Sequence, residues 1–213
     1  METQDKQTLL IDLHYLPNLE FFTYLQSFPN IILEANENFI KQTYRNRCYI
    51  LGANKVEMLT VPVIDGNKKI LIKDLKIDYS QRWNIIHWRT ISAAYGKSPF
   101  FEFYADYFQN ILDKKNTFLW DLNFQMLTTC LKLLKVNRTI SHTEVYQKEV
   151  DSNVFDARTL FNPKKQVIET SFYLPKPYQQ NFGNEFVPNL SIIDLLFCRG
   201  TQALEILKNS SLN

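Results

Sequence analysis

The opening part of the chain changes from an unbroken apolar run to helical spacing and back to an apolar run. Residues 8–14 form the first run, aromatic and aliphatic side chains recur at helical spacing over 18–28, and residues 30–34 form the second run. Pro29 lies where a proline ends a helix. The pattern therefore predicts strand, helix and strand, which a short crossover joins as a right-handed, parallel β-α-β unit.

This unit predicts where ligand-binding residues lie. In open α/β sheets, ligands collect outside the carboxyl ends of the strands. His14 ends the first predicted strand, Tyr15 follows it, and the second predicted strand ends at Glu34. We therefore expect these residues, and those after Glu34, to line the functional edge of the sheet.

The next part of the chain has the composition of β-strands separated by turns. Asp65-Gly66 is a strong hairpin signal, and a second turn is predicted at 52–54. The three predicted strands are 44–51, 56–63 and 69–77.

The middle third is helical and rich in aromatic residues, whereas the last third is mostly irregular. Helical periodicity predicts helices over about 83–96, 100–115 and 119–135. Prolines in 138–187 indicate long ordered loops, with one strand near Gln166–Phe172. Ser191 begins a last apolar helix that ends at Gly200.

These elements predict an α/β protein. Its parts are an N-terminal β-α-β unit with a mixed sheet, a β-hairpin region and a helical middle third. We expect one domain over residues 1–213, with a helical subdomain over roughly 83–136.

Composition narrows the classes of function. The chain has 213 residues, 45% of them hydrophobic, and a net charge of +2, which does not indicate a nucleic-acid-binding protein. The three cysteines are far apart and lack metal-site spacing, as do the three histidines, so neither a disulfide framework nor a metal site is expected. No apolar run approaches the ~20 residues of a membrane span. The first residues also lack the order of a signal peptide, which predicts a cytoplasmic protein.

The segment 41–50 combines three cationic side chains with amides and phenols. As a strand, it would place Lys41, Thr43, Arg45 and Arg47 on one face and Tyr44, Asn46 and Cys48 on the other. Guanidinium groups on one face suit a carboxylate or a phosphate. The alternative is a solvated basic strand.

Other candidate residues each have a structural alternative. His87 suits a general base or acid because imidazole titrates near neutrality, and the alternative is a satisfied core histidine. Asn46 and Arg47 suit an anionic donor, whereas Arg47 alternatively forms a salt bridge with Asp78, which itself can orient Arg47 or His87. Ser191 and Asp194 have the spacing of a capping box, which is favoured over Ser191 as a nucleophile.

Several ordered blocks resemble the WbqC-like family of bacterial proteins. The blocks are Tyr15-Leu16-Pro17 with Phe21-Phe22, Lys41 with Tyr44-Arg45-Asn46-Arg47, Val61-Pro62-Val63, His87 with Tyr95 and Ser98-Pro99-Phe100-Phe101, and the run from Phe186 to Leu196. Many members of that family carry His-Gln-Pro ahead of the Tyr-Leu-Pro block. This chain has Ile11-Asp12-Leu13 there, and His14 lies three positions after the place of the missing histidine.

The resemblance implies a role in bacterial surface-polysaccharide (O-antigen) assembly without identifying the reaction. Two hypotheses follow. The first is a cytoplasmic transferase acting on a sugar or sugar-linked intermediate, in which Tyr15, Lys41, Arg45, Asn46, Arg47 and Asp78 bind substrate or an anionic activated donor and His87 transfers a proton. The second is a non-catalytic binding or accessory protein of a glycan-assembly complex, which the missing family histidine favours.

The transferase hypothesis depends on one spatial expectation, that Arg47 and His87 face a common hollow. The type of transfer (acyl, aminoacyl or nucleotidyl), the cofactor and the oligomeric state are not predicted by any motif. No phosphate-binding glycine loop is present in the sequence.

Overall fold

The structure is a computed structural model that describes residues 7–158, 160–163 and 172–211. Its strands are β1 (Thr8–Asp12), β2 (Asn30–Glu34), β3 (Arg47–Leu51), β4 (Val56–Thr60), β5 (Thr139–His142) and β6 (Val154–Asp156). Its helices are α1 (Leu19–Ser27), α2 (Trp83–Tyr95), α3 (Phe101–Asp113), α4 (Leu119–Leu134), α5 (Ile192–Arg199) and α6 (Ala203–Asn209), and short 3-10 turns cover Ile72–Asp74 and Gly200–Gln202.

The predicted β-α-β unit forms the centre of a parallel sheet. Among the described residues the sheet has four strands in the order β5-β2-β1-β6, and every neighbouring pair is parallel. The β1 side chains are almost completely buried, including Leu9 and Ile11 at 0% exposure, as expected for a strand covered on both faces. The predicted α/β class is confirmed.

Parallel and antiparallel pairing occur in two separate sheets rather than in one mixed sheet. β3 and β4 form an antiparallel hairpin of their own, with Arg47 opposite Thr60 and Leu51 opposite Val56. Cys48 and Ile50 face the core, whereas Arg47 and Tyr49 lie on a partly exposed face.

The third strand predicted in this region, over 69–77, is wrong. The chain forms a 3-10 turn at Ile72–Asp74 instead, with Leu75 directly after it. Ile72 and Leu75 are 1% and 0% exposed. A strand would send side chains three positions apart to opposite faces, whereas a 3-10 turn aligns them, so burial of both residues selects the turn.

Two strands of the parallel sheet lie in the segment predicted to be irregular. β5 pairs with β2, and β6 pairs with β1 over three residues. Both are short and carry polar side chains, so neither produces an apolar run. The strand predicted near Gln166–Phe172 lies outside the described residues except for Phe172, which is in a bend.

The helices of the middle third are close to their predicted positions, and α5 ends at Gly200 as predicted. Gly200 has φ 52°, and a Cβ there would lie 2.2 Å from the Phe100 ring. Both the backbone conformation and the close approach require glycine at this position. Among the described residues, none of these helices combines the length and the apolar character needed to cross a membrane.

The predicted capping box at the start of α5 is wrong. No side chain caps this helix, and Ser191 Oγ donates instead to the Leu16 carbonyl at 2.8 Å. The Asp194 carboxylate accepts hydrogen bonds from Tyr95, Tyr178 and Gln180, at 2.9, 2.6 and 3.0 Å. Asp194 is 0% exposed, and burial raises its pKa above the ordinary value. It therefore joins α5 to α2 and to the loop before α5.

Replacing Asp194 by alanine tests this junction. Asp194→Ala removes the acceptor for three donors, so we expect the free energy of unfolding to fall by about 2 to 3 kcal/mol. Denaturant unfolding measures the loss. Asp106→Ala, which removes an exposed carboxylate on α3, is the control and should change stability by less than about 0.5 kcal/mol. Equal effects of the two variants would contradict this role for Asp194.

Candidate functional site

A buried ionic network lies at the carboxyl ends of β1 and β2. Asp12 is the last residue of β1, Glu34 is the last residue of β2, and both are 0% exposed. Arg45, which is 1% exposed, places Nη2 3.0 Å from Asp12 Oδ2 and 2.6 Å from Glu37 Oε1. Arg45 Nε also donates to Glu37 Oε1 at 2.7 Å. The two Nη2 contacts are close enough to be ion pairs but do not have hydrogen-bond geometry. The Arg45 guanidinium thus pairs with two carboxylates at once.

His14 joins this network through Asp12. His14 Nε2 lies 3.1 Å from Asp12 Oδ2, and both residues are 0% exposed. An ionised carboxylate only accepts hydrogen bonds, so Nε2 carries a proton and donates to Asp12. The imidazole also packs against three aromatic rings, with centroid distances of 4.8 Å to Phe21, 5.6 Å to Tyr44 and 5.5 Å to Phe161.

Arg158 and Glu34 form a neighbouring ion-pair group, and the Glu34 charge acts on Arg45 and Glu37 without a direct bond. Its Nη1 donates to Glu34 Oε2 at 3.0 Å, and its Nη2 donates to Asp156 Oδ2 at 2.7 Å. The other oxygen of Glu34 accepts from Thr143 Oγ1 at 2.7 Å and from the Asn36 backbone N–H at 2.8 Å. The ends of the four sheet strands, or the residues just after them, thus all contribute to this edge.

Asp12 and Glu37 share one guanidinium, that of Arg45, and their pKa values shift in opposite directions. Burial alone would raise the pKa of Asp12, but the charges of Arg45 and His14 outweigh burial and hold this pKa well below its usual range. Burial raises the pKa of Glu37 to about 7 against the attraction of Arg45, and the charge of Asp12 adds to the rise. At neutral pH, Asp12 is therefore ionised and Glu37 is close to its midpoint.

Three polar atoms inside the network have no hydrogen-bond partner. They are Asp12 Oδ1, His14 Nδ1 and Arg45 Nη2, the last of which has ion-pair contacts only. Buried polar groups are nearly always hydrogen-bonded, so unpaired atoms on neighbouring buried side chains indicate a place for a ligand group or a water molecule. An imidazole held by a carboxylate on one nitrogen and vacant on the other is the arrangement of an oriented general base.

The side chains of Tyr15 and His87 pair with each other rather than with this network. Tyr15 Oη donates to His87 Nδ1 at 3.0 Å, and His87 also donates to the Thr60 backbone carbonyl. Burial lowers the pKa of His87 to about 4, so the imidazole is neutral at pH 7. Both of its nitrogens are occupied, which matches the core histidine considered above. The catalytic role of His87 stays a prediction.

The base of the hairpin carries a second group of unpaired polar atoms. They are Asn46 Oδ1, Arg47 Nε and Thr60 Oγ1. Arg47 is half-buried, and the alternative salt bridge with Asp78 does not form, since no carboxylate among the described residues lies within 4.0 Å of Arg47. Arg47 and His87 both adjoin Thr60, the first through strand pairing and the second through a hydrogen bond. The shared hollow stays a prediction.

Two other sequence-predicted residues lie on the surface. Lys41 is exposed in a turn, and Asp78 is partly exposed with its carboxylate accepting from the Ser80 backbone N–H at 2.8 Å. The expected single basic face does not exist, because residues 41–46 form turns and the strand begins only at Arg47. Arg45 consequently enters the buried network while Arg47 lies on the hairpin.

The sequence analysis did not identify three of the charged residues at this edge of the sheet. Asp12, Glu37 and Arg158 were not among the candidate residues. Glu34 does carry a usable signal, since it ends an apolar run predicted to be a parallel strand, whereas Asp12 lies inside the predicted run 8–14 and ends the strand only in the structure. Arg158 follows β6, a strand too short to be detected, and no signal identified it.

Removal of Arg45 tests whether it holds the network together. Arg45→Met leaves Asp12 and Glu37 buried without a cation, so we expect a loss of about 3 to 5 kcal/mol in the free energy of unfolding. The triple variant Asp12→Asn, Glu37→Gln, Arg45→Met should recover much of that loss because no charge remains uncompensated. Lys41→Met, at an exposed position, is the control. A loss for Arg45→Met no larger than the control would contradict the network.

A second prediction concerns His87 and pH. The pKa of His87 falls from 6.5 in the unfolded chain to about 4 in the folded protein, so its stabilising contribution is complete above pH 6.5 and is lost as pH falls towards 4. We expect the stability advantage of the wild type over His87→Gln to shrink by about 3 kcal/mol over this window, measured by denaturant unfolding. The titration of Glu37 occurs in both proteins and cancels. An advantage that does not change with pH would contradict a neutral, buried His87.

Comparisons with known proteins identify the family. The model of the WbqC-like protein family matches residues 13–163 and 152–206. The uncharacterised protein Rv1507c of Mycobacterium tuberculosis (strain ATCC 25618 / H37Rv) is 24% identical over 233 residues, which cover 95% of this chain and 98% of that protein. No solved structure matches the chain significantly. Since the family model covers most of the sequence, the chain belongs to the WbqC-like protein family.

Proposed function

We propose that this protein is a transferase that moves a group from an anionic activated donor to a sugar or sugar-linked intermediate of surface-polysaccharide biosynthesis. The observation that carries the proposal is the buried pair of Asp12 and His14, with His14 Nδ1 unpaired at the carboxyl edge of the parallel sheet. The sugar substrate, the O-antigen pathway and the cytoplasmic location come from the family resemblance and the sequence rather than from the geometry.

In the proposed reaction His14 is the general base. Its Nδ1 accepts a proton from the acceptor as the acceptor atom bonds to the transferred group, and the donor's leaving group departs with the bonding electron pair. The imidazolium that forms is stabilised by Asp12, which accepts from Nε2 at 3.1 Å. Arg45 is a positioning residue, because its charge keeps Asp12 ionised.

The hairpin base is the proposed donor site. Arg47 offers a cation without a carboxylate partner among the described residues, and its Nε is unpaired. The unpaired Thr60 hydroxyl, opposite Arg47 in the hairpin, can add a further donor, whereas the unpaired Asn46 Oδ1 only accepts and suits a hydroxyl of the substrate. A phosphate or similar anion requires donors such as this guanidinium and hydroxyl, and exposed Lys41 can add long-range attraction. Tyr15, His87 and Asp78 remain candidates for positioning this region.

One observation favours the alternative of a non-catalytic binding or accessory protein. Asp12 and His14 are 0% exposed, and Arg45 is 1% exposed. A network closed in this way can be purely structural, joining β1 to the turns before β3. In that case, only the partly exposed residues such as Arg47 would contact a partner.

A donor screen followed by a transfer assay distinguishes the two functions. Thermal shifts are measured with nucleotide sugars, acyl-CoA and aminoacyl donors for the wild type and Arg47→Ala. We expect one donor class to stabilise the wild type and not the variant. With that donor, His14→Gln and Asp12→Asn should each lower kcat by about 100-fold or more, because general-base catalysis contributes about 10²–10⁴-fold.

His142→Gln is the matched control, since His142 is exposed at the end of β5. Its kcat should equal that of the wild type. His87→Gln tests the remaining histidine in the same assay. No response to any donor class, or full activity of His14→Gln, would favour the binding protein. Unfolding of Arg47→Ala would instead assign Arg47 a structural role.

A further inference from the structure

A cleft lies at the amino edge of the parallel sheet, opposite the edge that carries Asp12 and Glu34. Its volume is about 520 Å³, a size typical of small-molecule sites. Two of its lining residues are Ser27, three residues before β2, and Arg138, directly before β5. The carboxyl ends of α4 and α6 complete it. This amino-edge cleft shares no lining residue with the sites described above.

The charge of the amino-edge cleft has one sign. The described residues that line it include three cations, Lys135, Arg138 and Lys208, and no carboxylate. In the described part of the chain, no carboxylate lies within 4.0 Å of any of the three. A cleft lined by charges of one sign attracts ions of the other sign. The expected ligand is therefore an anion.

Neutralising the helix ends does not occupy these lysines. Cations near a helix carboxyl end often interact with its free carbonyls, but here the carbonyls have other donors. Those of Leu131 and Lys132 in α4 accept from backbone N–H groups at 2.9 and 3.1 Å, and that of Lys208 in α6 accepts from the Ser211 N–H at 3.2 Å. The ammonium groups of Lys135 and Lys208 have no hydrogen-bond partner among residues 7–158, 160–163 and 172–211. Both are thus free to bind a ligand.

Two further side chains at the cleft have unused donors. The Arg138 guanidinium donates to the backbone carbonyls of Leu25, Gln26 and Asn137, at 2.9, 2.8 and 2.9 Å. These bonds fix its position and leave part of its donor fork unused. The side chain of Gln26 also lines the cleft, and its buried Nε2 has no hydrogen-bond partner. Buried donors are nearly always paired, so Gln26 adds a second indication of a ligand with acceptor atoms.

We propose that the amino-edge cleft binds a small molecule through a diphosphate group. Phosphate oxygens accept hydrogen bonds from lysine, guanidinium and amide donors at once. A single phosphate monoester carries a charge of only about −1.5 to −2 at neutral pH. Three cations are balanced better by two linked phosphates than by one phosphate or by a carboxylate. The inference is independent of the proposed transfer reaction, because none of its residues takes part there.

Titration calorimetry with inorganic pyrophosphate tests the cleft, with inorganic phosphate and acetate compared at equal ionic strength. We expect the wild type to bind pyrophosphate at least about tenfold more tightly than phosphate or acetate. Lys135→Asn and Lys208→Gln should each weaken pyrophosphate binding about fivefold, and the double variant at least about tenfold. Asparagine suits position 135 because the backbone φ there is 56°.

Lys97→Gln is the matched control, because Lys97 is exposed two residues beyond the carboxyl end of α2 and does not line the cleft. Its pyrophosphate affinity should equal that of the wild type. Gln26→Glu places a carboxylate among the three cations and should abolish pyrophosphate binding. Because that carboxylate compensates the cations, the Tm of Gln26→Glu should not fall, which separates loss of the site from loss of the fold.

Three results would overturn the inference. The first is no pyrophosphate binding by the wild type, or unchanged binding by the double variant. The second is an equal loss in Lys97→Gln, which would show a general effect of charge. The third is binding lost in Arg47→Ala and retained in the double variant, which would place the anion at the hairpin base instead.

Discussion

The placement of one guanidinium between two buried carboxylates determines how the rest of the structure is arranged. Arg45 has access to almost no solvent, so its charge depends on Asp12 at the end of β1 and on Glu37 after β2. Removing Arg45 would leave two carboxylates without a cation in a low-dielectric interior. The segment between β2 and β3 is therefore held against the carboxyl edge of the parallel sheet, and the hairpin that follows begins at a fixed position.

Neighbouring residues divide between this network and the hairpin. His14 enters the network while Tyr15 bonds to His87, and Arg45 enters the network while Asn46 bonds to the Val61 carbonyl at 2.9 Å. Two short segments, 14–15 and 45–46, thus connect the network to the Tyr15–His87 pair and to the hairpin.

Asp12 and Glu37 compete for the positive charge of Arg45, and this competition sets their protonation states. Asp12 receives enough positive charge to remain ionised, and Glu37 does not, so its pKa rises to about 7. Within one ionic cluster there is thus a constant anion that orients His14 and a second carboxyl that can exchange a proton near neutral pH. The missing family histidine does not leave the site without an imidazole, because the fold brings His14 to the ionised Asp12.

The sequence by itself determined the β-α-β unit, the helices of the middle third, the end of α5 at Gly200 and the family, because each depends on local periodicity or on ordered blocks of residues. Only the tertiary structure decided that Arg45 and Arg47 separate, that Ile72 and Leu75 select a 3-10 turn, and that β5 and β6 complete the sheet. Asp194 likewise became a junction rather than a cap. Each of these outcomes is set by partners far away in the chain: a buried charge takes the nearest opposite charge, and a short polar strand forms where an open strand edge needs hydrogen bonds.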